Sequence, residues 1–370
     1  MKKIITIIMI CAIAAGVHAQ EQKATAEEQG LKGKVKSMRD IQHYAVQGME
    51  PINHFYKYDD TGNLTEVNKY NPDGSLKEKV IWQYDDKGNM IEKNAHNPDG
   101  SSIDKLTFKY DDKDNMIEEN KYNSDGSLDN KYTFKYDDKR NRIEKNCYNS
   151  NGSLSHKESF KYNDNGNVIE RNFSDGSFKY EYTYKYDDKG NLIEKNEYNS
   201  DGASYKFIWK YDDKGNKIER NNYESDGSLD HKFTWKYDDK GNMIENNSYN
   251  SDGSLYAKET RIYDDKGNVI EYNAYNENES LYKKVATQYE DRGNIIEENS
   301  YSSDGTLYGK STRKYDDKGN LIESNVYKSE GNDSKTIYKY DSKDNWIESI
   351  MYYDEKIIFV AAKREIEYYE

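Results

Sequence analysis

The chain has 370 residues, a formal net charge of −14, and equal shares, 34% each, of charged and hydrophobic residues. So acidic a balance disfavours nonspecific binding to nucleic acid or anionic lipid. A mean hydropathy of −1.22 would suit a disordered chain, but 37 tyrosines recurring at a fixed period argue for an ordered repeat.

Reading from the N-terminus, Lys2 and Lys3 precede an apolar run from Ile4 to Val17, and Val17-His18-Ala19 sets small residues at −3 and −1 before Gln20. That layout predicts a secretory signal peptide over residues 1–19, since the run is short for a membrane-spanning helix. Cys11 sits mid-run behind Met9-Ile10, which does not suit a lipoprotein signal. Cleavage would leave Cys147 alone, unable to form an internal disulfide. The remaining histidines (His43, His54, His96, His156, His231) are scattered, so no zinc spacing arises and no cofactor is expected. The mature chain is expected to be exported to the periplasm, cell surface or medium, without membrane insertion. Residues 20–30 read as a flexible polar leader and 31–57 as N-terminal capping strands.

From residue 58 to 350 the chain repeats. Tyr-Asp or a close variant begins at Tyr58, Tyr84, Tyr110, Tyr136, Tyr162, Tyr186, Tyr211, Tyr237, Tyr263, Tyr289, Tyr315 and Tyr340. The interval is 26 residues, except 24 after Tyr162 and 25 after Tyr186 and Tyr315. A typical unit holds two turn signals, Asp-Asp-Lys-Gly-Asn (Asp238 to Asn242) and Asn-x-Asp-Gly (Asn71-Pro72-Asp73-Gly74). Both have the chemistry of a type I turn closed by a left-handed glycine, the three-residue hairpin loop. Between them lie seven- and nine-residue stretches rich in Tyr, Phe, Ile and Thr, the length and composition of strands. No helix is expected after residue 19.

If Asp85 pairs with Asn89, then Tyr84 opposes Met90, Trp82 opposes Glu92 and Val80 opposes Asn94. If Asn71 pairs with Ser75, Tyr70 opposes Leu76 and Asn68 opposes Glu78. Opposed residues share a face, so Tyr, Trp and Leu are expected beside the recurring Glu and Asn. The units then add into one all-β antiparallel meander of roughly 25 strands, too wide to stay flat and expected to coil into a spiral or open solenoid. Residues 351–370 read as C-terminal capping strands, with Arg364 to Tyr368 placing charges on an exposed edge. The double deletion near Phe173 preserves facing; the single deletions after Gly202 and Gly331 predict local irregularity.

The unit Tyr-x-Tyr-Asp-x-x-Gly-Asn-apolar, as in Tyr184-Lys185-Tyr186-Asp187-Asp188-Lys189-Gly190-Asn191-Leu192, resembles the YD repeat of the Rhs/teneurin type over roughly residues 50 to 350. The resemblance implies a spiralling sheet of β-hairpins, which in large toxins forms a shell around a toxic domain. Here Asn fills the slot after the turn glycine in every unit, where that family often has Arg. The core-sealing aspartyl autoprotease motif is missing and no toxin domain is expected to follow. What the resemblance implies is a fold and a scaffold role, in a short form without cargo.

Two columns could carry binding. A Glu recurs in every unit, after Ile in all but the first, including Glu92, Glu118, Glu144, Glu194 and Glu245, and an Asn follows two residues later in all but the last, including Asn94, Asn120 and Asn196. Either they ligate cations or sugar hydroxyls, or they hydrogen-bond within the sheet; repetition favours the second, because residues repeated in every copy serve the repeat. The aromatic column with Trp82, Trp209 and Trp235 could stack sugars, or could be the sheet's hydrophobic payload. No catalytic nucleophile, phosphate loop or metal motif occurs, and equivalent carboxylates offer no acid/base division of labour. The expected function is therefore non-enzymatic: a scaffold presenting an extended surface to a protein or glycan partner. The alternatives are a carbohydrate-binding protein using its aromatic face and, remotely, a degenerate hydrolase.

Overall fold

A computed structural model describes residues 25–44, 51–329, 331, 333–353 and 357–370. The proposed signal peptide lies outside the described residues. Twenty-six strands run from β1 (Val35–Tyr44) and β2 (Ile52–Tyr58) to β25 (Trp346–Tyr353) and β26 (Ile357–Tyr368), with no helix among the described residues. Each pairs antiparallel with the next, and β1 also pairs with β26, Asp40 opposite Arg364. The sheet therefore closes into a barrel. This corrects the expected open spiral with charged free edges: the charges of β26 lie in a seam, and closure abolishes both edges.

Every strand packs only on its two ring neighbours, so the wall is one sheet thick. Twenty-six strands at about 4.8 Å give a circumference on the order of 125 Å, or about 40 Å across if circular and untilted.

The turns form as their residues dictate. The Asp85 N–H donates to the Asn89 carbonyl (2.9 Å) and the Gly88 N–H to the Asp85 carbonyl (2.8 Å). Asp85 Oδ1 accepts from the N–H groups of Lys87 (3.0 Å) and Asn89 (2.7 Å), and the Asn89 side-chain amide donates to Oδ2 (3.1 Å). That last bond explains why Asn recurs after the turn glycine. The glycine slot is left-handed, φ 78° at Gly88, and stays so where Asp114 (64°), Arg140 (68°) and Asp344 (63°) occupy it.

Register departs from expectation one residue beyond each turn. Tyr84 does oppose Met90, but Gln83 opposes Glu92 and Trp82 opposes Lys93, leaving Ile91 as an extra, bulged residue. Likewise Tyr70 opposes Leu76 while Lys69, not Asn68, opposes Glu78, so Lys77 is extra. A bulge slips pairing by one and reverses facing. The Trp column and the Glu/Asn columns therefore lie on opposite faces, not on one. The shortened units are the regular ones: at β11 (Val168–Ser174) to β12 (Lys179–Tyr186), β13 (Leu192–Asn199) to β14 (Ser204–Tyr211) and β23 (Leu321–Lys328) to β24 (Ser334–Tyr340) the ladder runs without a shift. Each deletion removes the bulge residue, which is why facing survives it.

Residues 25–33 do not trail free. Thr25 bridges to Asn63, and Ala26 and Leu31 are buried with Val35, Met38, Tyr58, Leu64 and Val67. The expected leader thus packs, from Thr25 onward, against the closing seam.

Candidate functional site

One face carries an ion-pair belt. In β9 (Arg142–Asn149), Glu144 receives Lys135 Nζ at 2.8 Å from the strand before and Lys157 Nζ at 2.6 Å from the strand after. Glu118 is held the same way by Lys109 and Lys131, Glu194 by Lys185 and Lys206, and Glu245 by Lys236 and, at 3.9 Å, Lys258. Glu92 meets Lys105 at 2.7 Å. Asn120 Nδ2 donates to Glu118 Oε1 (2.9 Å), Asn196 Nδ2 to Glu194 Oε1 (3.1 Å), and Asn94 Oδ1 accepts from Ser102 Oγ (3.3 Å). Hydrogen bonds from Lys135, Lys157 and Asn146 bring the Glu144 carboxyl down to about 2. These columns bind one another, and they bind lysines that recur just before Tyr-Asp, a pairing that the nine-residue Lys-to-Glu spacing across the first turn could have revealed.

The Tyr-Asp tyrosines have a separate task. Tyr84 Oη donates to the Leu64 carbonyl (2.8 Å), Tyr110 to Met90 (2.9 Å) and Tyr136 to Met116 (2.8 Å), and eight further units repeat the bond. Each staples one hairpin to the one before. Burial pushes the Tyr110 hydroxyl up to about 12, so it stays protonated and donates at any ordinary pH. Along the first-turn rim, Lys139, Lys189, Lys214 and Lys266 each reach a backbone carbonyl of the next turn, at 2.9–3.0 Å.

The opposite face interleaves aromatic rings with cations. Phe207 and Trp209 lie nearly parallel, centroids 6.2 Å apart, as do Phe233 and Trp235 at 6.3 Å. The Arg220 guanidinium lies 5.3 Å from Phe207, 5.9 Å from Trp209 and 5.4 Å from Phe233. Desolvation lowers its pKa, a cost that stacking on three rings offsets. Lys217 stands over Trp235 at 5.7 Å, while Trp82 packs against the seam cluster. Cys147 is buried on this face, opposite Tyr132. The aromatic column is therefore packed and capped by cations around Arg220, and the structure does not unite it with Glu92, Glu118, Glu144, Glu194 or Glu245.

Clefts occur where the repeat is broken. A cavity of about 410 Å³ lies beside the short β11–β12 hairpin, one of about 430 Å³ near Gly331, and one of about 510 Å³ beside the seam at Arg39 and Tyr70. Among the described residues, no group of three His, Cys, Asp or Glu side chains could hold a metal ion.

The fold defines a β-rich hairpin-repeat protein closed as a barrel. No protein-family model and no curated protein matches it. Among solved structures it is similar to a TcdB2-TccC3-Cdc42 chain, at 11% identity and TM-score 0.40, covering 84% of this chain and 19% of that one. A Photorhabdus luminescens Tc holotoxin pore aligns at 10% identity and TM-score 0.39 with the same coverage. A porin-like protein from Bacteroides uniformis aligns at 10% identity and TM-score 0.20 over 91% of this chain and 99% of that one. The chain thus spans about a fifth of the length of those toxin chains.

Proposed function

We propose that this chain is an exported, non-enzymatic scaffold of YD/Rhs-like repeats that presents its wall to a protein or glycan partner in the cell envelope or outside the cell. The observation that carries this reading is the division of labour in the wall. The recurring Tyr, Asp, Asn, Lys and Glu side chains are engaged in staples, turns and the ion-pair belt. Partner recognition then falls to residues that differ between units, at the clefts and on the mixed aromatic face. Among the described residues, Lys–Glu pairs line one face and arginines and lysines interrupt the rings of the other, unlike the apolar band of a membrane barrel, and strands of seven to nine residues, which predominate, are short for a bilayer. The glycan alternative is supported by the parallel ring pairs, but Arg220 already covers three of those rings, which favours a site elsewhere.

Fractionation of producing cells, with crosslinking on intact envelopes, tests the proposal. The expected result is a product beginning at Gln20, outside the cytoplasm, crosslinked reproducibly to one partner. A cytoplasmic product with its N-terminus intact would sink the export claim. Turnover of envelope polymers by the purified chain would sink the non-enzymatic one.

A further inference from the structure

We infer that the cleft at the short β11–β12 hairpin is a binding site for a neutral oligosaccharide, with Tyr198 as the stacking wall and Glu181 as the hydroxyl acceptor. The inference rests on the binding reading above and gives it a site and a ligand class.

Two departures from the repeat converge there on a row of side chains that the repeat keeps. The first is length. The β11–β12 loop lacks both the bulge residue and one loop residue, with Ser174 opposite Lys179. The next turn bends over the short hairpin, Ser200 N–H donating to the Lys179 carbonyl at 2.9 Å. This leaves a recess of about 410 Å³ at the rim.

The second departure is charge. In ten units the residue that follows the second turn into the belt is a lysine, as at Lys131, Lys157 and Lys206, each paired to the Glu before it. At that place β12 has Glu181. Glu170 keeps only Lys161, at 2.7 Å, and the Glu181 carboxylate has no ion pair or hydrogen bond among the described residues. A like charge installed in a belt of alternating charges costs stability and serves nothing in the wall. An exposed carboxylate flanked by neutral hydrogen-bonding groups is what sugar hydroxyls need.

The alignment is the one that other units keep, as in the row of Asn120, Lys131 and Tyr148. Asn172, Glu181 and Tyr198 oppose one another directly across three strands, so they share one face in a transverse row about 10 Å long. Lys157, Ser174 and Lys179 form a parallel row beside them, toward the rim. Tyr198 is 44% exposed, so its ring is available for stacking. Lysines and a carboxylate in one recess favour neither an anion nor a cation. Amphipathic rings with many hydroxyls satisfy an aromatic wall and mixed donors and acceptors together.

The test is calorimetric titration of the full exported chain with cello-, manno- and chito-tetraose, and with an oligogalacturonate as the anionic probe. One neutral tetraose is expected to bind, with affinity falling at least tenfold in Tyr198→Ala and in Glu181→Lys, and unchanged in Tyr249→Ala. Glu181→Lys restores the belt lysine, so its melting temperature should equal or exceed that of the parent, and lost binding cannot then be lost folding. Unchanged affinity in both cleft variants, or preference for the oligogalacturonate, overturns the site. Loss of tetraose binding in Trp209→Ala with retention in the cleft variants would move the sugar to the other face and keep the glycan reading. If no tetraose binds while envelope crosslinking still yields a protein partner, the sugar site falls and the scaffold stands.

Discussion

The seam and the rest of the wall solve the same problem by different physics. Away from the seam the sheet has two solvated faces and few fully buried side chains, and it holds together through one tyrosine staple, two Asx-stabilised turns and a Glu–Lys contact in most units. At the seam, Val35 and Met38 are 1% and 2% exposed, and they pack with Ala26, Leu31, Tyr58, Leu64 and Val67. Asp40 and Arg364 meet there at 3.6 Å, and the Arg364 guanidinium lies 3.6 Å from the Trp346 ring centre. Lys32 and Tyr369 add bonds to Asn345 and to the Tyr58 carbonyl. A repeat can distribute many weak, equal bonds, because each copy finishes its neighbour. Joining the first strand to the last has no such neighbour to copy, and it takes residues from outside the repeat, such as Ala26, Leu31, Val35, Met38 and Arg364, packed against Tyr58 and Leu64 of the first unit and Trp346 of the last.

That contrast can be broken most severely at the seam. Val35→Asp buries a charge in the cluster and should cost about 3 kcal/mol or more; denaturant melts should show the loss, and small-angle scattering should show an opened ring. An intact ring with unchanged stability would mean that the repeats alone enforce closure. In the wall, Tyr136→Phe removes one staple from many and leaves the Met116 carbonyl short of a donor, for about 1–2 kcal/mol. Its signature should be local, with faster amide exchange in β7 (Met116–Tyr122) and β8 (Leu128–Tyr136) and no change at the seam.

A change in the opposite direction is available at Arg140, whose φ of 68° suits glycine. Arg140→Gly should stabilise by about 1 kcal/mol, read as a higher denaturation midpoint. The smallest single effect belongs to the belt: Lys135→Met should change stability by less than about 1 kcal/mol, because Lys135 is 66% exposed and water screens the pair. The belt shows itself collectively through pH. Glu144 is held at about 2 against an ordinary value of 4.5, and Glu194 and Glu323 are likewise held at about 2. A carboxylate depressed by folding contributes stability above its unfolded pKa and loses it as pH falls toward the folded one. The melting temperature should therefore drop between about pH 4.5 and 2, and an acid-insensitive melt would refute the belt's contribution.

Much of this was legible in the residues. The period, both turns, strand lengths and the pairs Tyr84–Met90 and Tyr70–Leu76 follow from Asx and Gly at fixed offsets, since turn chemistry is local. The bulges at Ile91 and Lys77 were not legible, and that one-residue slip moved Trp82 away from Glu92. Isoleucine is an ordinary strand residue, and nothing about its type marks an unpaired position. Recurring lysines nine residues before most of the Glu residues were a usable signal for the belt; the stacking of Arg220 on Phe207, Trp209 and Phe233 was not, because it joins side chains from three strands.

By itself, then, the amino-acid order determined an all-β chain of hairpins with repeated turns, because those depend on neighbours a few residues apart. Only the tertiary structure decided which face each column occupies, that the ribbon returns on itself, and that the residues just before β1 help to seal it. Facing depends on bulges that cost one backbone pairing each, and closure depends on contacts between residues more than 300 positions apart, such as Lys32 with Asn345.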